Sequence, residues 1–143
     1  QALVRMAYRE REAHMINELV LIAPDIDTDI FRQELPFLKR ISDRITVYVS
    51  NNDKALRLSQ EVHGYSRLGQ AGENLVVHDG VESIDISAIS TRRISGHLYH
   101  LFSPEVISDL TRLLHSGESA SLRPSLKVSH QYGLPYWRML PDN

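Results

Sequence analysis

Two apolar runs, at residues 18–23 and 45–50, constrain the fold of this chain most strongly. The first reads Glu-Leu-Val-Leu-Ile-Ala and stops at Pro24, and the second reads Ile-Thr-Val-Tyr-Val-Ser. Apolar runs this short, without helical spacing, are typical of strands that are buried on both faces of a parallel sheet. The chain therefore has the signature of an α/β protein whose helices cover its sheet.

Segments with helical spacing of apolar residues separate these runs. The spacing predicts helices over residues 2–14, 30–41, 54–63 and 104–116, the second with a kink or break at Pro36. Short strands are predicted at residues 75–77 and 83–87, around Asp79-Gly80. The alternation of predicted strands and helices predicts a three-layer αβα arrangement around a parallel sheet over residues 1–116. Residues 117–143 contain three prolines and no periodicity, which predicts an irregular C-terminal tail.

Composition narrows the classes of function. The chain has 143 residues, enough for one domain, and a net charge of −2 without a Lys/Arg cluster, so no nucleic-acid partner is predicted. There is no cysteine, which excludes disulfides and zinc-thiolate sites. No apolar run approaches the roughly 20 residues that a membrane span requires. The chain starts with Gln1 and a helical pattern already under way, which favours a cut or processed start.

Asp53 and His97 are the candidate catalytic residues. Asp53 closes the second predicted strand, and His97 follows the strand predicted at residues 83–87. An acid after one strand and a histidine after the next is the order of the last two triad members in an α/β-hydrolase. The alternatives stay open, because Asp53 could instead cap the following helix and His97 could be a surface histidine.

Other residues compete with these two. His100 is a rival for the histidine role, and His97-x-x-His100 is a weak zinc signal, so no cofactor is predicted. Asp25 and Asp27 follow the first strand and could support or replace Asp53, although helix capping is the favoured interpretation. A serine in Gly-x-Ser-x-Gly is found nowhere in the sequence. Ser66 lies in a loop after a helix, which is the wrong context for a nucleophile.

A series of short segments resembles a bacterial group of α/β-hydrolases of unknown function. The segments are residues 18–27 (ELVLIAPDID), 29–31 (DIF), 47–56 (VYVSNNDKAL), 58–59 (LS), 63–64 (HG), 67–69 (RLG), 84–87 (IDIS) and 96–99 (GHLY). The resemblance covers residues 1–116 and implies the C-terminal part of a serine hydrolase fold with esterase- or lipase-like chemistry. It implies that Asp53 is the triad acid and His97 the triad base.

The resemblance also implies what lies outside these residues. The family's His-Ser-Met-Gly elbow would lie shortly before Gln1, so this polypeptide alone is expected to be inactive. The intact protein is expected to act on a small ester-like substrate, and a sheet edge exposed in this piece could support self-association. The rival hypothesis is a non-catalytic binding or scaffold module with the same fold. A nucleotide-binding domain would need a glycine-rich turn after the first strand, and Ala23-Pro24-Asp25 provides none.

Overall fold

A computed structural model describes residues 16–51, 64, 66–90 and 103–141. The strands are β1 (Ile16–Ile22), β2 (Ser42–Val49), β3 (Glu82–Asp85), β4 (Leu126–Gln131) and β5 (Leu134–Met139). The helices are α1 (Thr28–Ile41), α2 (Ser87–Ser90) and α3 (Pro104–Ser116), with 3₁₀ turns at Gly72–Asn74 and Ala120–Leu122. The predicted helices at residues 2–14 and 54–63 lie outside the described residues.

The five strands form one sheet in the order β1-β2-β3-β5-β4. The pairs β1–β2, β2–β3 and β3–β5 are parallel, and only β4, at one edge, runs antiparallel to its neighbour. This mostly parallel sheet with its helices confirms the predicted α/β class. The outer strands of the described sheet are β1 and β4, and self-association through such an edge stays a prediction.

Helix α1 begins and ends at side-chain caps. The Asp27 carboxylate accepts hydrogen bonds from the backbone N–H groups of Asp29 and Ile30, over 2.8 and 3.1 Å. At the other end, Ser42 Oγ donates to the carbonyl of Leu38 over 2.6 Å, and β2 starts directly there. The helix continues through Pro36, so the predicted break does not occur, and a kink at Pro36 stays a prediction. The apolar side of α1 stays packed on the sheet and offsets the hydrogen bond that proline removes.

Two apolar cores lie on opposite faces of the sheet, as a three-layer arrangement requires. Alternate residues of β2 divide between them: Ile45, Val47 and Val49 face the core under α1, whereas Tyr48 faces the other. That second core includes Val106 of α3. Helix α3 starts as predicted, with Ser103 Oγ accepting from the N–H of Val106, and it ends at Gly117 in the left-handed conformation.

The prediction of an irregular tail is wrong. Strands β4 and β5 form a hairpin within residues 117–143, and β5 pairs in parallel with β3, placing Trp137 opposite Ile84. Tyr132 and Gly133 make the two-residue turn, both with positive φ (50° and 81°). The hairpin extends the sheet because Leu126 and Met139 are buried in the second core. The two strands of this segment are therefore part of the same sheet.

Residues 75–77 do not form the predicted strand. They run between the 3₁₀ turn and a turn at Asp79-Gly80, with Leu75 buried and Val76 and Val77 half-buried. Packing under α1 and against Leu68, rather than a ladder of hydrogen bonds, accounts for this apolar run. Across the described part of the chain, no helix combines the length and apolarity needed to span a bilayer.

Candidate functional site

The carboxyl ends of β1, β2 and β3 lie at one edge of the sheet, because these strands are parallel neighbours. Ligands of open α/β sheets bind at this edge. The segment from Ser66 to Ala71 runs along it. The N–H of Leu68 donates to the carbonyl of Ile26 over 2.9 Å, and the N–H of Ser50 donates to the carbonyl of Gly69 over 2.9 Å. This segment therefore joins the chain that leaves β1 to the chain that leaves β2.

The ends of β2 and β3 are joined in the same way. The N–H of Ile86 donates to the carbonyl of Val49 over 2.9 Å, and the N–H of Asn51 donates to Ser87 Oγ over 3.0 Å. The Asp85 carboxylate in turn accepts from both the N–H and the hydroxyl of Ser87. The strand that leads to Asp53 and the strand that leads toward His97 are thus fixed to each other where they end.

Asp53, His97 and His100 lie outside the described residues, so their assignment stays a prediction. The last described residue before Asp53 is Asn51, two residues beyond the end of β2. The last described residue before His97 is Ser90, at the end of α2. The described geometry therefore defines where both segments begin.

Asp25 and Asp27 occupy this edge with roles of their own. Asp27 caps α1, which confirms the capping interpretation of that residue. The Asp25 carboxylate lies 3.2 Å from Nε of Arg67, a largely buried side chain. Asp27 also forms an isolated bridge with Arg67 through the backbone. The two acids thus serve to hold the crossing segment in place.

Ser66 is part of that crossing segment. Its carbonyl accepts from the N–H of Thr28 over 3.0 Å and from Thr28 Oγ1 over 2.9 Å. Its backbone therefore anchors the first residue of α1. Its place in a loop between β2 and β3, and not in a strand-to-helix turn, agrees with its exclusion as a nucleophile.

A buried charge network lies on the α3 side of the sheet and was not predicted from the sequence. Arg123 Nη1 donates to Asp109 Oδ2 over 2.7 Å, and the Tyr48 hydroxyl donates to the same oxygen over 2.6 Å. Arg123 Nη2 reaches Glu82 over 3.3 Å. Burial is the larger cause and the hydrogen bond and charge of Asp109 the next in raising the pKa of Tyr48, so the phenol is a neutral donor. The network connects the segment after α3 to both β2 and β3.

The sequence held one signal of this network. Asp109 lies on the buried face of α3 together with Val106 and Leu113, at a spacing of three and four residues. An acid in the middle of an apolar face needs a partner, because an unpaired buried charge is costly. The partner, Arg123, comes from the segment predicted to be irregular.

The described residues hold no preformed metal site. In the ranges 16–51, 66–90 and 103–141, no three His, Asp or Glu side chains come together as a metal ion would require. The polar groups at the carboxyl edge are instead carboxylates, hydroxyls and backbone amides.

Comparison with known proteins agrees with this architecture. The family described as alpha/beta hydrolase of unknown function (DUF900) matches residues 1–116, about four fifths of the chain. The chain belongs to this α/β-hydrolase family. The match confirms the resemblance read from the sequence. It ends at the last residue of α3, so the hairpin of this α/β-hydrolase lies beyond the matched region. No curated protein and no solved structure matches the chain.

Proposed function

We propose that this chain supplies the acid and the histidine of a serine hydrolase, Asp53 and His97, and that the nucleophilic serine precedes Gln1 in the intact protein. The proposed substrate is a small ester-like molecule. The serine is assigned upstream because the 143 residues contain no Gly-x-Ser-x-Gly segment, and because the triad order in α/β-hydrolases is serine, acid, histidine.

The observation that carries the proposal is the direct adjacency of β2 and β3 at the carboxyl edge. Asp53 follows Asn51 by two residues, and two residues span at most about 7 Å. The segment containing His97 leaves the neighbouring strand by way of Ser87. Parallel neighbours lie about 4.8 Å apart, so both segments start within reach of one substrate. Membership of the α/β-hydrolase family supports the same arrangement.

In the proposed reaction, His97 removes the proton from the serine hydroxyl as that oxygen attacks the ester carbonyl. Asp53 holds the imidazole in the required tautomer and stabilises the imidazolium that forms. His97 then donates its proton to the leaving alkoxide. Water then attacks the acyl-enzyme as His97 removes a proton from it, and His97 gives that proton to the serine oxygen as the acid product leaves.

The test uses the intact gene product, including the residues before Gln1, and short p-nitrophenyl esters. We expect Asp53→Asn to lower kcat by about 10⁴-fold and His97→Ala by about 10⁶-fold, the usual costs of losing the acid and the base of a triad. Asp79→Asn and His130→Ala are matched controls, because both are exposed and His130 lies in β4, beside the start of β5. Full activity in both triad variants would disprove the assignment.

The alternative is a binding or scaffold module that retains the fold without the chemistry. A fluorophosphonate probe separates the two hypotheses, since it labels only an activated serine. Labelling at one serine upstream of Gln1, lost in His97→Ala, supports the hydrolase. No labelling of a folded intact protein supports the binding module.

A further inference from the structure

We propose that Ser87 is a positioning residue, whose hydroxyl sets the path of the chain from β2 to Asp53. This inference rests on the proposed function, since it assigns Ser87 a part in the same reaction. Ser87 is not itself expected to touch the substrate. Its effect is transmitted through the backbone of Asn51.

Two of the described hydrogen bonds of the Ser87 hydroxyl have opposite directions. It accepts from the N–H of Asn51 over 3.0 Å and donates to the carboxylate of Asp85. A donor bond to a carboxylate increases the negative charge on the hydroxyl oxygen, so the bond from Asn51 is strengthened. Through these two bonds, Ser87 connects Asp85, the last residue of β3, to Asn51, which follows β2.

The Ser87 hydroxyl holds the chain just beyond the last hydrogen bonds between β2 and β3. The ladder between β2 and β3 ends with the pair Val49 and Asp85. Ser50 is still held by the carbonyl of Gly69, but Asn51 is exposed and its N–H bonds to Ser87. This contact is the last described hydrogen bond of the main chain before Asp53. It therefore fixes the direction in which the chain departs toward the acid.

Asp85 holds Ser87 in place for this role. One of its carboxylate oxygens accepts from both the backbone N–H, over 2.9 Å, and the hydroxyl of the serine. This fixes the hydroxyl proton on the Asp85 side, so the oxygen presents a lone pair to Asn51. Alanine loses the hydroxyl's bonds to Asn51 and Asp85 and keeps the backbone N–H, whereas threonine keeps the hydroxyl. The pair of substitutions therefore isolates the contribution of one oxygen atom.

The kinetic test compares Ser87→Ala, Ser87→Thr and Ser116→Ala in the intact gene product. Ser116 is the matched control, since its hydroxyl bonds to the carbonyl of Arg112 on the exposed side of α3. We expect Ser87→Ala to lower kcat about tenfold with KM unchanged, because a misdirected acid impairs the proton transfer and not substrate binding. Ser87→Thr should restore kcat to within about twofold of the original protein.

A second measurement tests the contact itself. Amide hydrogen exchange at Asn51 should become at least about tenfold faster in Ser87→Ala and stay unchanged in Ser116→Ala. An active parent protein whose Ser87→Ala variant matches Ser116→Ala in kcat would overturn the role of Ser87 while leaving the hydrolase intact. A folded parent protein without hydrolysis or probe labelling would overturn the proposed function, and the role of Ser87 with it.

Discussion

Arg123 and Asp109 form an ion pair over 2.7 Å in which neither side chain is exposed to solvent. The pair joins helix α3 to the segment that follows it, and Tyr48 and Glu82 extend it to the sheet. A buried pair of this kind adds little net stability by its formation, but removal of one partner leaves an uncompensated charge. The stability of an Arg123 variant therefore measures the cost of leaving Asp109 buried without its cation.

Substitution Arg123→Ala should lower the free energy of unfolding by about 3–5 kcal/mol, because Asp109 would remain buried without its cation. Arg112→Ala is the matched control: its side chain is half exposed and lies 3.7 Å from Glu118, so we expect a loss of at most about 1 kcal/mol. Urea denaturation followed by circular dichroism measures both. Equal losses for the two variants would contradict a structural role of the buried pair.

The hairpin should unfold together with the rest of the domain. Trp137 is the single tryptophan of the chain, lies in β5 and pairs with Ile84 of β3, so its fluorescence reports on the hairpin. We expect the fluorescence and far-ultraviolet circular dichroism transitions in urea to have the same midpoint. A fluorescence transition at clearly lower urea concentration would show that residues 117–141 dissociate from the sheet first.

His78 should make stability depend on pH. Its side chain is buried and its ring packs edge-on to Phe31, with centroids 5.1 Å apart. Burial lowers the pKa of His78, and the positive charges of Arg32 and Lys39 act in the same direction. The unfolded chain therefore binds the proton more tightly than the folded chain, so stability should fall as the pH drops below about 6.5.

The test of this prediction is the difference in unfolding free energy between the original protein and His78→Leu from pH 8 to pH 5. The difference should be constant above about pH 7 and shift in favour of the leucine variant at lower pH. His115→Leu, in the last turn of α3, is a control for the effect of replacing an exposed histidine. A difference that does not change with pH would rule out His78 as the cause.

Asp27 should behave as a helix cap and not as a catalytic acid. Asp27→Ala removes the acceptor for the N–H groups of Asp29 and Ile30 and should cost about 1 kcal/mol of unfolding free energy. Asp27→Asn should retain most of that stability, since asparagine caps equally well. In the intact gene product, kcat of Asp27→Asn should match that of the original protein, whereas a loss comparable to Asp53→Asn would identify Asp27 as the acid.

The sequence predicted those elements whose local pattern and tertiary environment agree. Strand β2 is apolar because it lies between two cores, and α3 carries a complete set of end signals in Ser103, Pro104 and Gly117. The cap of α1 was likewise expected from Asp27. In each case the features that determine the element lie within a few residues of it.

The hairpin was not predicted because its sequence lacks the usual turn residues and contains a proline that disfavours a strand. Its turn uses Tyr132 at positive φ, where asparagine or aspartate is usual, and β5 contains Pro135, which disfavours a strand. Pro135 is tolerated because β3 pairs only with residues 137 and 138, so its missing N–H is not needed there. Strand β5 depends on pairing with β3, about 50 residues earlier in the chain. A pattern of neighbouring residues contains no information about so distant a partner.

In the candidate site, the common edge of β1, β2 and β3 follows from the alternation of strands and helices. The roles of Asp53 and His97 stay predictions. The contacts of Ser87 with Asn51 and of Arg123 with Asp109 join residues 36 and 14 positions apart. Contacts between residues so far apart in the sequence form only once the sheet is packed, so no sequence motif predicts them.

The direction of β5 has a practical consequence for fusion proteins. Because β5 runs parallel to β3, the chain leaves β5 at Leu140 on the same rim as Ser87, one strand spacing of about 4.8 Å from β3. A fluorescent reporter or affinity tag attached after this strand would begin beside the proposed catalytic site. Such a label belongs at the other terminus in any assay that needs an unobstructed substrate path.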